Sequence, residues 1–303
     1  MDIATAPRIA VFGSVNMDLV AYVDAAPAKG ETITGREFRQ IPGGKGANQA
    51  VAAARTGGEV TFLGAVGDDP FGTQLRSNLV ESGVEVSGLR VEAGASGVAH
   101  IIVEGDGGNS IIVIPGANGR VTDVRDGDLR LLRGSAALLL QLELPMSGVI
   151  AAARAGREAG VPTVLTPAPV QELPPELLDA TDLLVPNQHE AAAITGEEDP
   201  LRALEALLRR VPEVIITLGA VGSVYGRRHE EPVRIPAYQV AAVDTTAAGD
   251  TFCGAFVVAR AEGQVPEAAL RFASAAAALS AQRYGASTSM PDRVEIDKAL
   301  ARG

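Results

Sequence analysis

The chain is expected to fold as an α/β protein, with a mostly parallel central sheet and a smaller β-sheet laid over it. Three features of the sequence lead there. Strand-length apolar runs alternate with helix-length runs from residue 60 to residue 217, the pattern of parallel strands joined by right-handed crossovers. Polar and glycine-rich residues recur where those strands end, the edge at which open parallel sheets hold ligands. Two hairpin-like pieces, at residues 19–40 and 99–114, break the alternation, and a small sheet inserted from two places accounts for both.

In order, residues 8–12 form a β-type run ending in Gly13-Ser14-Val15-Asn16-Met17-Asp18. Residues 19–23 and 31–40 read as strands parted by Pro27-Ala28-Lys29-Gly30. A glycine-rich turn leads into a helical run at 50–55. A strand at 60–66 and a helix at 71–81 follow, then the second hairpin, 99–103 and 110–114, around Glu104-Gly105-Asp106-Gly107-Gly108-Asn109. Further strands are expected at 136–142, 163–165, 182–185 and 214–217, and helices at 148–159, 190–194 and 200–209. A β-rich segment at 235–243 precedes a helix over 255–261.

With 303 residues, 47% hydrophobic and 21% charged, the chain has a globular composition and enough length for a large core. No apolar run reaches membrane-spanning length, and residues 1–5 lack the basic flank and apolar core of a signal peptide, so a cytoplasmic protein is the simplest expectation. A net charge of −11 argues against a general nucleic-acid surface, and 4% aromatics against a base-stacking platform. One cysteine excludes an intrachain disulfide. With only three histidines beside it, a His-rich zinc site is excluded as well. Cys253 falls in an apolar helical pattern and reads as core. Lysine is scarce: Lys29, Lys45 and Lys298 are the only three, which singles out Lys45 between glycines.

Two stretches carry most of the chemistry. Val243-Asp244-Thr245-Thr246-Ala247-Ala248-Gly249-Asp250-Thr251-Phe252-Cys253-Gly254 runs through small residues into a helix. It aims unpaired N–H groups at an anion beside a carboxylate, although Asp250 also reads as an ordinary helix cap. Pro42-Gly43-Gly44-Lys45-Gly46-Ala47-Asn48-Gln49 again places glycines before a helix, with close backbone approach and free N–H donors. Its spacing is not that of a Walker A loop. Asn16 and Asp18 would share one side of an extended chain. Gln141-Leu142-Glu143, Asn187 to Glu190 and Thr217 to Gly222 each follow a strand. Asn187 with Glu190 fits a capping box as well as a metal site.

Taken together these motifs resemble, end to end, the ribokinase family of carbohydrate kinases (the PfkB superfamily). The most specific parts are the Gly-Gly-Lys-Gly-Ala-Asn block and Asp244-Thr245-Thr246-Ala247-Ala248-Gly249-Asp250-Thr251. The resemblance implies a three-layer α/β/α domain (residues 1–17, 43–96 and 117–303) with a β-sheet lid (18–42 and 97–116) that also makes a homodimer contact. It implies ATP-dependent phosphorylation of D-ribose at O5. Asp250 would be the catalytic base, with an anion hole from Ala247, Ala248 and Gly249. Asn16, Asp18, Gly44, Lys45, Asn48 and Glu143 would bind the sugar. Asn187, Thr217, Gly219, Gly222, Gly249 and Ser274 would lie along the ATP. Glu190 would organise Mg²⁺ through water. Asp244, Thr246, Ser280, Arg283, Gly285 and Ser289 match positions that hold an activating monovalent cation, K⁺. Thr166, Cys253 and Ser274 stand where the family often carries Asn, Asn and His. Alternatives are a kinase for deoxyribose, fructose or adenosine, and a sugar-binding regulator without activity.

Overall fold

The computed structural model describes residues 5–106 and 108–302. Residues 1–4, on which the reading of the N-terminus drew, Gly107 of the second hairpin turn and Gly303 lie outside the described residues. The strands are β1 (Arg8–Phe12), β2 (Asn16–Tyr22), β3 (Glu37–Gly43), β4 (Glu59–Gly67), β5 (Val84–Glu92), β6 (Gly97–Val103), β7 (Asn109–Ile114), β8 (Ala137–Leu140), β9 (Thr163–Leu165), β10 (Leu183–Leu184), β11 (Glu213–Thr217), β12 (Gly222–Arg227) and β13 (Val233–Pro236). The helices are α1 (Lys45–Arg55), α2 (Pro70–Glu81), α3 (Asp126–Leu132), α4 (Met146–Glu158), α5 (Pro175–Leu178), α6 (Gln188–Thr195), α7 (Pro200–Leu208), α8 (Ala248–Ala261), α9 (Pro266–Ala281) and α10 (Arg293–Leu300).

Nine strands form the central sheet in the order β13-β12-β11-β10-β9-β8-β1-β4-β5, parallel from β5 through β11 and antiparallel at β12 and β13. Alternate residues of β1 show why it is the middle of three layers. Ile9 and Val11 enter a core with α1, α2, α8 and α9, whereas Ala10 and Phe12 enter a second core with α4, α5 and α7. The second sheet, β3-β2-β6-β7, is drawn from two separate parts of the chain, and β2 pairs with β6 in parallel. No helix among the described residues is long and apolar enough to cross a membrane.

Several elements differ from expectation. Residues 31–36 are not strand, and β3 begins at Glu37. β5, β12 and β13 extend the sheet beyond the expected strands, and of the β-rich segment expected at 235–243 only residues 235–236 are strand, as the end of β13. β5 alternates buried and exposed residues over only part of its length, so its period is weak. Both site helices start earlier than hydrophobic periodicity indicates, α1 at Lys45 and α8 at Ala248, because their first turns are small and polar residues that face the site.

The helices α1 and α8 meet almost backbone to backbone. A methyl group on Gly254 would lie 2.7 Å from the Gln49 carbonyl oxygen, 2.8 Å from Ala52 Cβ and 2.8 Å from the Ala53 nitrogen. None of these can swing away. Gly254→Ala is therefore expected to cost about 1–3 kcal/mol through overpacking, measured as a lower urea midpoint with an unchanged slope.

Candidate active site

The expected residues gather at the carboxyl edge of the parallel strands. Ser14 to Asp18 follow β1, Gln141 to Glu143 follow β8, Thr166 follows β9, Asn187 follows β10 and Gly219 follows β11. The start of α1 is pressed into the β1–β2 turn. Gly44, its N-cap, has φ +93°, and a side chain there would strike the Asn16 nitrogen at 2.8 Å. One on Gly46 would strike the Ser14 nitrogen at 2.6 Å. Contrary to the expectation of free donors, the first N–H groups of α1 are already taken. Lys45 N donates to Glu143 Oε2 (2.9 Å), Gly46 N to Ser14 Oγ (3.4 Å) and Ala47 N to the Ser14 carbonyl (2.9 Å). Glu143 also accepts from Ser14 Oγ at 2.5 Å.

Around this turn sit the six expected sugar-side residues. Asn16 is buried, and its Oδ1 accepts from Asn118 Nδ2 at 2.8 Å; Asn118 also bonds the main chain of Val15 at 3.0 and 3.1 Å. Asn118 thus fixes the Asn16 amide so that its NH₂ end remains to donate. Sequence reading missed it, because one Asn in a short turn more than a hundred positions away carries no local signal. Burial pushes the Asp18 carboxyl up to about 7, with Glu143 adding to the rise and Lys45 opposing it. Burial works against the Lys45 ammonium, but the carboxylates of Asp250, Glu143, Glu190 and Asp18 outweigh it, and its pKa ends above the ordinary lysine value.

Asp250 is the third residue of α8 and is 8% exposed. It does not cap the helix. Its Oδ2 accepts from Asn48 Nδ2 (3.2 Å) and its Oδ1 from Gln49 Nε2 (3.1 Å), both across the α1–α8 contact. Burial raises its pKa, against Lys45 and the two amides. Ala247, the N-cap, holds a left-handed backbone at φ +57°, which is uncommon for a residue with a side chain and clusters at functional sites. Of the N–H groups expected for an anion hole, that of Ala248 turns to the Thr245 carbonyl at 3.2 Å. That of Gly249 has no partner within the helix, and neither has the N–H of Asp250, which was not among those expected. A methyl on Gly249 would meet nothing within 4 Å, so open space lies above it. Cys253 is buried, and its thiol is pushed up to about 12, which leaves it protonated and no nucleophile.

At the start of α8 lies a cavity of ≈ 250 Å³, mostly apolar, whose lining includes Thr217, Gly219, Gly222, Gly249 and Ser274 together with Ala237, Tyr238, Val240 and Phe252. Ser274 Oγ accepts from Tyr238 N at 3.0 Å and so holds the cavity wall. Asn187 is not on this wall. It caps α6, accepting from the N–H groups of His189 and Glu190 (2.8 and 2.9 Å), while Glu190 Oε2 accepts from Asn187 N at 2.8 Å. The pair is a complete capping box. Glu190 nevertheless senses the site: burial raises its pKa, and Lys45 and Asp250 act on it with opposite signs.

The donors fit the two expected cations differently. Among the described residues there is no cluster of three or more His, Cys, Asp or Glu that could hold a metal. Mg²⁺, which keeps most of its waters and needs only one or two carboxylates beside substrate phosphates, fits the half-buried Glu190. For K⁺, Asp244 accepts from Thr246 N (2.9 Å) and Gly285 N (3.0 Å). Despite burial, these bonds hold its pKa below the ordinary carboxylate value. Ser280 and Ser289 share a hydrogen bond of 2.8 Å nearby in the chain, and the Arg283 side chain is drawn off by Glu295, leaving its carbonyl. An all-oxygen set with one fixed negative charge suits a large monovalent cation.

Comparison with known proteins follows the same lines. Residues 6–293 match the model of the pfkB family of carbohydrate kinases. The chain is 43% identical to ribokinase of Bacillus subtilis over 97% of its own length and 99% of that protein's, and 36% identical to deoxyribokinase of Salmonella typhimurium over 97% and 98%. The structure of Arabidopsis thaliana ribokinase complexed with ribose and ATP superposes with a TM-score of 0.91 at 37% identity, covering 97% of this chain and 99% of that one.

The partly buried Asp18 gives a pH test. Its carboxyl is held near 7 when folded against 3.8 ordinarily. The folded chain therefore retains a proton that the unfolded chain releases, and stability from this group is full below about pH 4 and is lost as pH rises through 7. Asp18→Asn is expected to be more stable than the parent at pH 8 by on the order of 1 kcal/mol or more, with the difference gone near pH 4, in thermal unfolding without ligand.

Proposed function

The chain belongs to the pfkB family of carbohydrate kinases, and from that premise we propose that it transfers the γ-phosphoryl group of ATP to O5 of D-ribose, giving D-ribose 5-phosphate. One observation carries the reading: the carboxylate of Asp250 is buried, held by two amides and within reach of the Lys45 charge, while the preceding residue, Gly249, lines the apolar cavity. Glu143 as an acceptor, Asp18, whose carboxyl near 7 can accept or donate, and donors on Asn16, Lys45 and Asn48 suit a small polyol whose hydroxyls must all be paired. The cavity suits the adenosine part of ATP, with its phosphates directed toward the free N–H groups of Gly249 and Asp250.

Asp250 accepts the proton of the 5-hydroxyl as that oxygen attacks the γ-phosphorus in line, and the bond from phosphorus to the bridging oxygen breaks to release ADP. Lys45 and the α8 N-terminus receive the negative charge that spreads over the transferring group. Glu190 would hold Mg²⁺ through water, which would supply charge neutralisation at the phosphates, and Asp244, Thr246, Ser280, Arg283, Gly285 and Ser289 would hold an activating K⁺. The β2–β3–β6–β7 sheet serves as a lid that excludes water, and so limits ATP hydrolysis. Its outer strand exposes Ile111, Ile112, Val113 and Ile114, and β3 exposes Phe38. A second copy of the chain is the partner that fits this apolar face, as a homodimer in the cytoplasm.

A coupled ATP assay over ribose, deoxyribose, fructose and adenosine tests the substrate: ribose is expected to give the highest kcat/KM, and preference for deoxyribose would move the assignment to the second relative's activity. Asp250→Asn is expected to lower kcat by about 10²- to 10⁴-fold while calorimetry still detects ribose binding; turnover near that of the parent would remove Asp250 from the role of base. Exchange of K⁺ for tetramethylammonium at constant ionic strength is expected to depress the rate, and indifference would reject the cation site.

A further inference from the structure

Two glutamines beside Asp250 have no task in the reading above. Gln49 is 0% exposed and Gln141 is 1% exposed. Nε2 of Gln49 donates to Asp250 Oδ1 at 3.1 Å and to Thr166 Oγ1 at 3.2 Å, and its Oε1 accepts from Gln141 Nε2 at 2.6 Å. Burying two amides is unfavourable unless their polar ends are bonded, and Oε1 of Gln141 has no partner among the described residues. Apolar side chains of similar length would fill this space without leaving an acceptor bare. The polar ends therefore need another reason, and their direction supplies one. An amide presents a donor at one end and an acceptor at the other, and only the donor end is compatible with a carboxylate. Because the Gln141 NH₂ group bonds the oxygen of Gln49, the Gln49 NH₂ group is the end left for Asp250.

We propose that Gln49 is a positioning residue for Asp250, and that Gln141 acts through Gln49 by fixing which end of its amide faces the carboxylate. The inference rests on the kinase reading. Asn48 holds one carboxylate oxygen and Gln49 the other, so the plane of the group is set by two bonds from one helix, and neither rotation nor a flipped amide is tolerated. Four other titratable groups act on Asp250 or lie beside it. Lys45 on α1 favours its charged form. Glu143 after β8 and Glu190 on α6 disfavour it, and Cys253 on α8 itself remains a neutral thiol. A donor lost from Gln49 removes support from the charged form and moves the proton affinity of Asp250 upward.

The experiment is the pH profile of kcat/KM for ribose in Gln49→Met, Gln141→Met and the double variant, with thermal unfolding as a check on folding. Gln49→Met is expected to move the acid limb up by about one pH unit and to lower kcat by about tenfold or more, with KM for ribose changed less than about threefold. Gln141→Met is expected to move the limb the same way by less, and the double variant to match Gln49→Met, because one residue acts through the other. An acid limb that stays in place in the folded single variants overturns the inference, as do effects that multiply in the double variant. Should Gln49→Met not fold, the Gln141→Met limb alone decides. Failure of the unaltered protein to phosphorylate ribose rejects the underlying reading, which the limb position in an active parent leaves intact.

Discussion

The site depends on how closely two helices approach. Asn48 and Gln49 reach Asp250 only because α1 and α8 touch along Gly254, Ala52 and Ala53, where a single added methyl group would collide with main chain. The same economy of side chains holds α1 against the β1–β2 turn at Gly44 and Gly46. Small residues here are not a sign of looseness. They exchange side-chain packing for a fixed distance between polar groups, which is what a buried carboxylate needs if it is to stay ionised and aimed.

Charge is the second organising fact. In a chain with a formal charge of −11, the buried ammonium of Lys45 stands among Asp18, Glu143, Glu190 and Asp250. Those carboxylates are not equivalent. Glu143 spends one oxygen on the first turn of α1 and on Ser14, Glu190 spends one on a helix cap, and Asp250 takes two amide donors, while burial carries Asp18 to about 7. A pocket with carboxyl groups in such different environments can bind hydroxyls with some and move a proton with another.

The edge of the sheet was legible because strands there stop abruptly in glycine, asparagine and carboxylate, a change of chemistry that a linear reading detects. The layers were legible from alternation. What was not legible came from distance or from weak periodicity. Asn118 sets Asn16 from 102 positions away, and Gln49 looks like one more polar residue in an alanine-rich helix until β8 brings Gln141 to it. The free donors expected at the start of α1 were already taken, by a serine and a glutamate from the loops that follow β1 and β8. The capping-box reading of Asn187 and Glu190 was open from the sequence and is realised in the structure, without removing Glu190 from the electrostatics of the site. The edge strands β5 and β13 escaped because they carry mixed rather than alternating residues, and β12, paired on both sides and mostly buried, shows no alternation either.

The parallel pairing of β2 with β6 has a further consequence. The small sheet is closed by strands from residues 16–43 and 97–114, and between them the chain must first lay down α1, β4, α2 and β5 in the large domain. Its two halves therefore pair across all of α1, β4, α2 and β5, a long-range closure of the slow kind. The covering sheet is not a cassette. It cannot be cut out, grafted or exchanged as one continuous segment, and a change in its shape has to be written into the chain at two places at once.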